Sequence, residues 1–200
     1  MFLLLAACTG ASDMPVPLAG TVTAETGEAA DVVSATAFGV KVGGTAGILV
    51  SPNPDSTCAD AADFLLSSDV DFNPEVLSGE GVCNVYLRLD AYTGEEVTLV
   101  DDASATVSLN CAMDAGSWEF EERNDEGYFY TGPWWVGSPD AYTLTVSGGD
   151  TSDFTVSLEM DSYYGRFPYD EDEPEADLAT GAVAGTFTAT WCEDLAPAFD

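Results

Sequence analysis

No histidine occurs among the 200 residues, so the chemistry open to this chain rests on five cysteines and 36 carboxylates. Without an imidazole there is no Ser-His-Asp or Cys-His site and no histidine-ligated metal. No G-x-S-x-G turn and no phosphate-cradling glycine loop ending in lysine is present. Lys41, Arg88, Arg123 and Arg166 are the only cations, too few to hold anionic substrates. Two carboxylates flanking a sugar would make a glycoside hydrolase. With 36 acids some pair always has a suitable spacing, so the pattern singles none out. Calcium, a hard cation that takes several oxygens, is the more physical option. Asp69-Val70-Asp71-Phe72-Asn73 opens like an EF-hand loop with Glu80 at its twelfth position. Pro74, however, stands where that loop turns on glycine, and proline's fixed negative φ cannot replace it. The run Asp170-Glu171-Asp172-Glu173 is left as the candidate metal site, with calcium the one cofactor considered. The competing reading is a solvated loop whose like charges repel.

The thiols are more specific. They are Cys8, Cys58, Cys83, Cys111 and Cys192, without a C-x-x-C spacing, which makes a zinc site a poor fit. Leu3-Leu4-Leu5-Ala6-Ala7-Cys8 resembles the lipobox of bacterial lipoprotein signal peptides, and Leu5-Ala6-Ala7-Cys8 fits that pattern at every position. In that family small side chains pass the peptidase pocket, and the cysteine thiol takes up diacylglycerol before cleavage. The resemblance implies that residues 1–7 are the remnant of a signal peptide whose basic first segment has been lost. It makes Cys8 the lipidated residue and 8–17, rich in turn-formers and proline, a tether. Thr9 follows the cysteine, where an aspartate would favour inner-membrane retention in the family. The expected location is therefore the outer membrane or cell surface. With Cys8 taken by lipid, the other four thiols can form two disulfides, which persist in oxidising compartments. Three pairings exist. We expect Cys58 with Cys83, closing a short loop, and Cys111 with Cys192, tying a middle strand to the last. Against the second pair, Cys192 falls on the threonine side of its strand, opposite Trp191.

The elements that must position these groups read as strands. Apolar residues recur with period two along 83–91, at Cys83, Val85, Leu87, Leu89 and Ala91. The same period runs along 103–113 (Ala103, Ala105, Val107, Leu109, Cys111, Met113) and 154–160 (Phe154, Val156, Leu158, Met160). Each predicts a strand with one dry face, as in antiparallel sheets. Ser147-Gly148-Gly149-Asp150 joins the strand 142–146 to that at 154–160 as a hairpin. Further strands are predicted at 18–24, 32–40, 44–51 and 186–192, and one short helix over 59–66. The expectation is all-β: a single antiparallel two-sheet β-sandwich domain spanning 18–200, with one short helix after Cys58.

The formal charge is −32. A field of that sign repels nucleic acid and anionic lipid heads, so no nucleic-acid partner is expected. Yet 46% of the residues are hydrophobic, too many for the acidic disordered class. The aromatic-rich region 118–169 exceeds what one narrow sheet face holds. Trp134, Trp135, Tyr163 and Tyr164 are its candidate binding rings for a glycan or an envelope protein. The competing reading has them sealing the rim of the sandwich.

Two further stretches, Gly185-Thr186-Phe187-Thr188-Ala189-Thr190-Trp191-Cys192 and Pro54-Asp55-Ser56-Thr57-Cys58-Ala59-Asp60, resemble segments of uncharacterised bacterial β-sandwich lipoproteins. That resemblance implies an envelope location and disulfides, and brings no catalytic residues. The sequence thus points to a membrane-anchored, acidic, non-catalytic lipoprotein with a structural or binding role. Glycan or protein binding through the 118–169 rings, with or without calcium, is the alternative, and carboxylate-based glycoside hydrolysis a weaker one.

Overall fold

A computed structural model describes residues 16–24, 27, 29–66, 82–112, 119–122, 128–131, 134–166 and 177–199. The strands are β1 (Ala19–Ala24), β2 (Ala29–Val33), β3 (Thr36–Val42), β4 (Thr45–Ser51), β5 (Val82–Leu89), β6 (Val97–Val100) and β7 (Ala105–Ala112). They continue with β8 (Glu119–Glu122), β9 (Tyr128–Thr131), β10 (Trp134–Pro139), β11 (Tyr142–Gly148), β12 (Phe154–Arg166) and β13 (Asp177–Trp191). A helix, α1, spans Cys58–Leu66, and a 3-10 helix follows the last strand over Glu193–Ala198. The chain is all-β, as its period-two runs predict.

Eleven strands join one sheet in the order β2-β1-β13-β3-β4-β5-β7-β10-β12-β11-β6, and β8 pairs with β9 alone. Most pairings are antiparallel. Two are parallel and short: Thr190 and Trp191 of β13 beside Phe38 and Gly39 of β3, and Asp31 and Val32 of β2 beside Val82 and Cys83 of β5. The sheet is therefore mixed, a departure from the purely antiparallel expectation. Because β12 also pairs with β13, the ladder from β3 through β4, β5, β7, β10 and β12 returns to its start. Closure of this kind removes sheet edges that would otherwise template aggregation.

Along the strands the apolar faces land inside as their periodicity requires. Cys83, Val85, Leu87 and Leu89 of β5 meet Ala105, Val107, Leu109 and Cys111 of β7 in the main buried cluster. Ala91 and Ala103, which complete those runs in sequence, fall outside the strands. Ala91 sits at φ 58° in the turn after β5, where a strand cannot continue. β11 and β12 form the predicted hairpin, with Gly148 and Gly149 at φ 92° and 89°, values that cost glycine little.

β3 and β4 are buried on both faces. Ala37, Ala46, Ile48 and Val50 join the main cluster, while Phe38, Val40 and Leu49 join a second one. That second cluster is roofed by Ala61 and Ala62 of α1 and by Leu195 and Phe199 at the C-terminal end. Phe199 stacks on Tyr86 with ring centroids 6.1 Å apart, and a Cβ on Gly47 would run into its ring. Thr57 caps α1: its Oγ1 accepts from the Asp60 N–H at 3.3 Å, and Asp60 Oδ2 accepts from the Thr57 N–H at 2.8 Å. This reciprocal pair satisfies two donors that the first helical turn leaves open. The Thr57 hydroxyl also donates to Asp60 Oδ2 at 2.7 Å, and that bond, with the one from the Thr57 N–H, holds the Asp60 carboxyl below its ordinary value.

Candidate functional site

The four cysteines from Cys58 onward form two disulfides, with partners other than those expected. Cys83 bonds Cys111, Cα atoms 4.0 Å apart, and Cys58 bonds Cys192 at 5.7 Å. The reason lies in strand order. β5 and β7 are neighbours, and their register places Cys83 directly opposite Cys111, both facing the main cluster. Cys192 follows β13 and has left its alternation; it lies with α1 in the second cluster, across the β3–β4 layer from Cys111. The expected Cys58–Cys83 and Cys111–Cys192 pairs would each have had to cross that layer. Cys8 lies outside the described residues, as does 8–15 of the tether. Val16, at the tether's end, accepts a hydrogen bond from the Thr186 N–H at 2.6 Å and so lies along β13.

One rung beyond the Cys83–Cys111 bridge, Asn84 of β5 faces Asn110 of β7. Asn84 is buried, and among the described residues its Oδ1 and Nδ2, and the Asn110 Oδ1, have no hydrogen-bond partner. An unmatched buried amide group costs about 1–3 kcal/mol, so this rung is a local weakness beside the bridge.

The proposed binding rings separate. Tyr163 is fully buried in the main cluster and donates its hydroxyl to the Met160 carbonyl at 3.2 Å, so it offers no face to a ligand. Burial, reinforced by Asp161, pushes its phenol well above the ordinary tyrosine value. Trp134 and Trp135 stand in β10, opposite Ala112 and Cys111 of β7; Tyr164 stands in β12, opposite Ser138 and Leu178. The candidate calcium run Asp170, Glu171, Asp172 and Glu173 lies outside the described residues, as does the 69–80 loop. Among the described residues no three His, Cys, Asp or Glu side chains converge on a metal position, and no helix is long and apolar enough to cross a membrane.

One end of the ladder is closed by specific contacts. Lys41 pairs with Asp150 at 2.6 Å, Tyr92 donates its hydroxyl to the Gly148 carbonyl at 3.0 Å, and Asp153 accepts from the Trp191 N–H at 3.0 Å. Near them Phe154 stacks on Trp191 at 6.3 Å, and the tilted Tyr92 ring lies 6.5 Å from Phe154. Burial, with Asp150 nearby, raises the Tyr92 phenol.

A feature that the sequence reading missed lies on the outer face of the six strands β2, β1, β13, β12, β11 and β6. Register aligns their outward residues into rows. Val33, Ala19, Ala184, Glu159, Thr143 and Val100 run across all six strands. Thr186, Ser157, Thr145 and Thr98 form the next row, and Thr188, Thr155 and Ser147 the one after. These side chains are exposed or half-exposed, and Thr98 and Thr145 share a hydrogen bond at 2.9 Å. Glu159 is the one charged residue among the thirteen. The signal was present as T-x-T alternation at 143–145, 186–188 and 188–190, but only strand order assembles it. Compared with protein families, curated proteins and solved structures, the chain matches none of them.

Proposed function

We propose that this chain is an extracytoplasmic lipoprotein, anchored through lipid on Cys8, whose acidic β-domain has a non-catalytic structural or binding role in a bacterial cell envelope. The observation that carries the reading is the pairing of Cys58, Cys83, Cys111 and Cys192 into two bridges. Such bridges persist in oxidising compartments, and they leave Cys8 as the fifth thiol, at the position the lipobox resemblance assigns to acylation. The domain is read as a two-layer sandwich. One layer is β2-β1-β13-β12-β11-β6 and the other β3-β4-β5-β7-β10. Support comes from the brevity of the pairings that join the layers, two to four residues each, against the long β12–β13 ladder within one of them.

Metabolic labelling with palmitate tests the anchor. In a bacterial host with a lipoprotein pathway, and with a complete signal segment placed before Leu3, the wild type should take up label and fractionate with membranes. The Cys8→Ala form should do neither. Equal labelling of the two forms, or none in the wild type, would refute the anchor and with it the envelope location.

A further inference from the structure

We infer that the outer face of β2, β1, β13, β12, β11 and β6 is a docking surface for an uncharged polyhydroxylated polymer, a neutral polysaccharide. This rests on a binding role for the domain and is independent of the lipid anchor. The chain carries 36 acids against four cations, yet thirteen neighbouring outward positions on this face hold a single carboxylate, Glu159; exposed Asp31 of β2, bonded to Thr21, and exposed Asp161 of β12 stand at the margin of the patch. Seven of the thirteen are Thr or Ser in the two hydroxyl rows, Thr143 adds an eighth, and the rest are Val33, Ala19, Ala184, Glu159 and Val100. The large hydrophobic side chains exposed among the described residues lie along this face or beside it. Val33 (41% exposed) and Val100 (62%) end the longest row, and Val16 (70%) is bonded through its carbonyl to Thr186.

Charge selects the partner. A cation would choose surfaces where carboxylates are denser than Asp31, Glu159 and Asp161 make them here, and an anion is repelled by the whole molecule. A face of hydroxyls, alanines and valines is the better surface only for something neutral. A second copy of the chain fits poorly. It brings its own −32, and it sets a Glu159 against the mate's face. At roughly 4.8 Å between strands and 6.7 Å between alternate residues, thirteen positions cover about 420 Å². That is about half of the ~800 Å² per partner of a standard protein interface, but within the range of a functional patch on a monomer. Threonine suits a repeating polyol. Its branched side chain is stiff about χ1, so little rotamer freedom is lost when its hydroxyl donates and accepts. Glu159 adds an acceptor for sugar hydroxyls.

The test is depletion of the folded protein from solution by microcrystalline cellulose and by chitin beads, in about 1 M NaCl, where charges are screened beyond ~3 Å. The wild type should be depleted by at least one matrix. Thr145→Glu/Thr188→Glu should lower the bound fraction at least tenfold. Ala59→Glu on α1 and the hydroxyl-keeping Thr145→Ser/Thr188→Ser should bind as wild type, with all forms matched in thermal unfolding. No depletion by either matrix overturns the inference. So does equal binding of the Glu variant, binding that vanishes as salt rises, or a dimer in light scattering that the Glu variant splits.

Discussion

Removing the Cys58–Cys192 bridge gives a prediction whose size follows from the chain path. The bridge links residues 134 apart, and the Cys83–Cys111 bridge, 28 apart, is nested inside that loop. In the chain-entropy description, closing the outer loop with the inner bridge intact restricts the unfolded chain by about 4.8 kcal/mol at 25 °C, and the inner bridge alone by about 3.6 kcal/mol. Domains of this size are stable by about 5–15 kcal/mol, so the outer bridge is a large share of the total. Cys58→Ala/Cys192→Ala leaves small side chains where α1 meets the 3-10 helix, both sulfurs having packed against the second cluster. The expected loss is about 3–5 kcal/mol in urea unfolding under non-reducing conditions, with a steeper m-value from a more expanded unfolded chain. Cys83→Ala/Cys111→Ala should lose less through chain entropy and add a cavity cost in the main cluster. Treatment of the wild type with a reductant strong enough to open both bridges should reproduce the chain-entropy part of both losses, without the cavity cost, since the sulfurs stay in place. A loss below about 1 kcal/mol for the outer pair, with m unchanged, would refute the reasoning.

Other outcomes follow from the same contacts. Gly47→Ala should destabilise by about 1–3 kcal/mol through its clash with the Phe199 ring, and Phe199→Leu in the same chain should recover part of that in a double-mutant cycle. Thr57→Ala should cost about 1 kcal/mol by uncapping α1, read as loss of unfolding midpoint. Asp60 is held low by the same cap. Its contribution is present above the ordinary aspartate value of 3.8 and is lost as pH falls below it, so the gap between Thr57→Ala and wild type should narrow in acid to what the Asp60 N–H bond to Thr57 Oγ1 supplies. Tyr86, Tyr92, Tyr142 and Tyr163 are all raised, chiefly by burial. Their unfolded forms ionise near 10.0, so stability should fall as pH rises past that value, with these four phenols ionising together with unfolding. Ionisation of these four rings in the native state at pH 10, followed ring by ring in NMR, would count against it. Finally, self-repulsion at −32 should make the thermal midpoint rise between about 0.05 and 1 M NaCl; a flat or falling midpoint would contradict that.

Local pattern carried much of the architecture. Alternation at Cys83–Leu89, Ala105–Cys111 and Phe154–Met160 is a consequence of two-faced strands and is visible one strand at a time. The α1 segment was legible from apolar spacing, and the β11–β12 turn from Gly148 and Gly149. What sequence could not supply was neighbour order. Whether Cys83 meets Cys58 or Cys111 depends on β5 lying beside β7, a long-range choice that period two does not encode. The same holds for the short parallel pairings, and for the rows of threonine that only the β13–β12–β11–β6 order brings together. β13 also runs far longer than the strand predicted at 186–192, passing Gly181 and Gly185 at φ 135° and 154°. Tyr163 was misread because β12 shifts register between Met160 and Ser162, turning its ring inward.

The assignment of the five sulfurs can be read in a single experiment on protein purified from membranes of the expressing bacterium: non-reducing peptide mapping by mass spectrometry. The expected map has a mature first residue Cys8 carrying diacylglycerol mass, one linked peptide pair joining Cys58 to Cys192, and another joining Cys83 to Cys111. Free thiols at those four positions, or an unmodified thiol at Cys8, would contradict it.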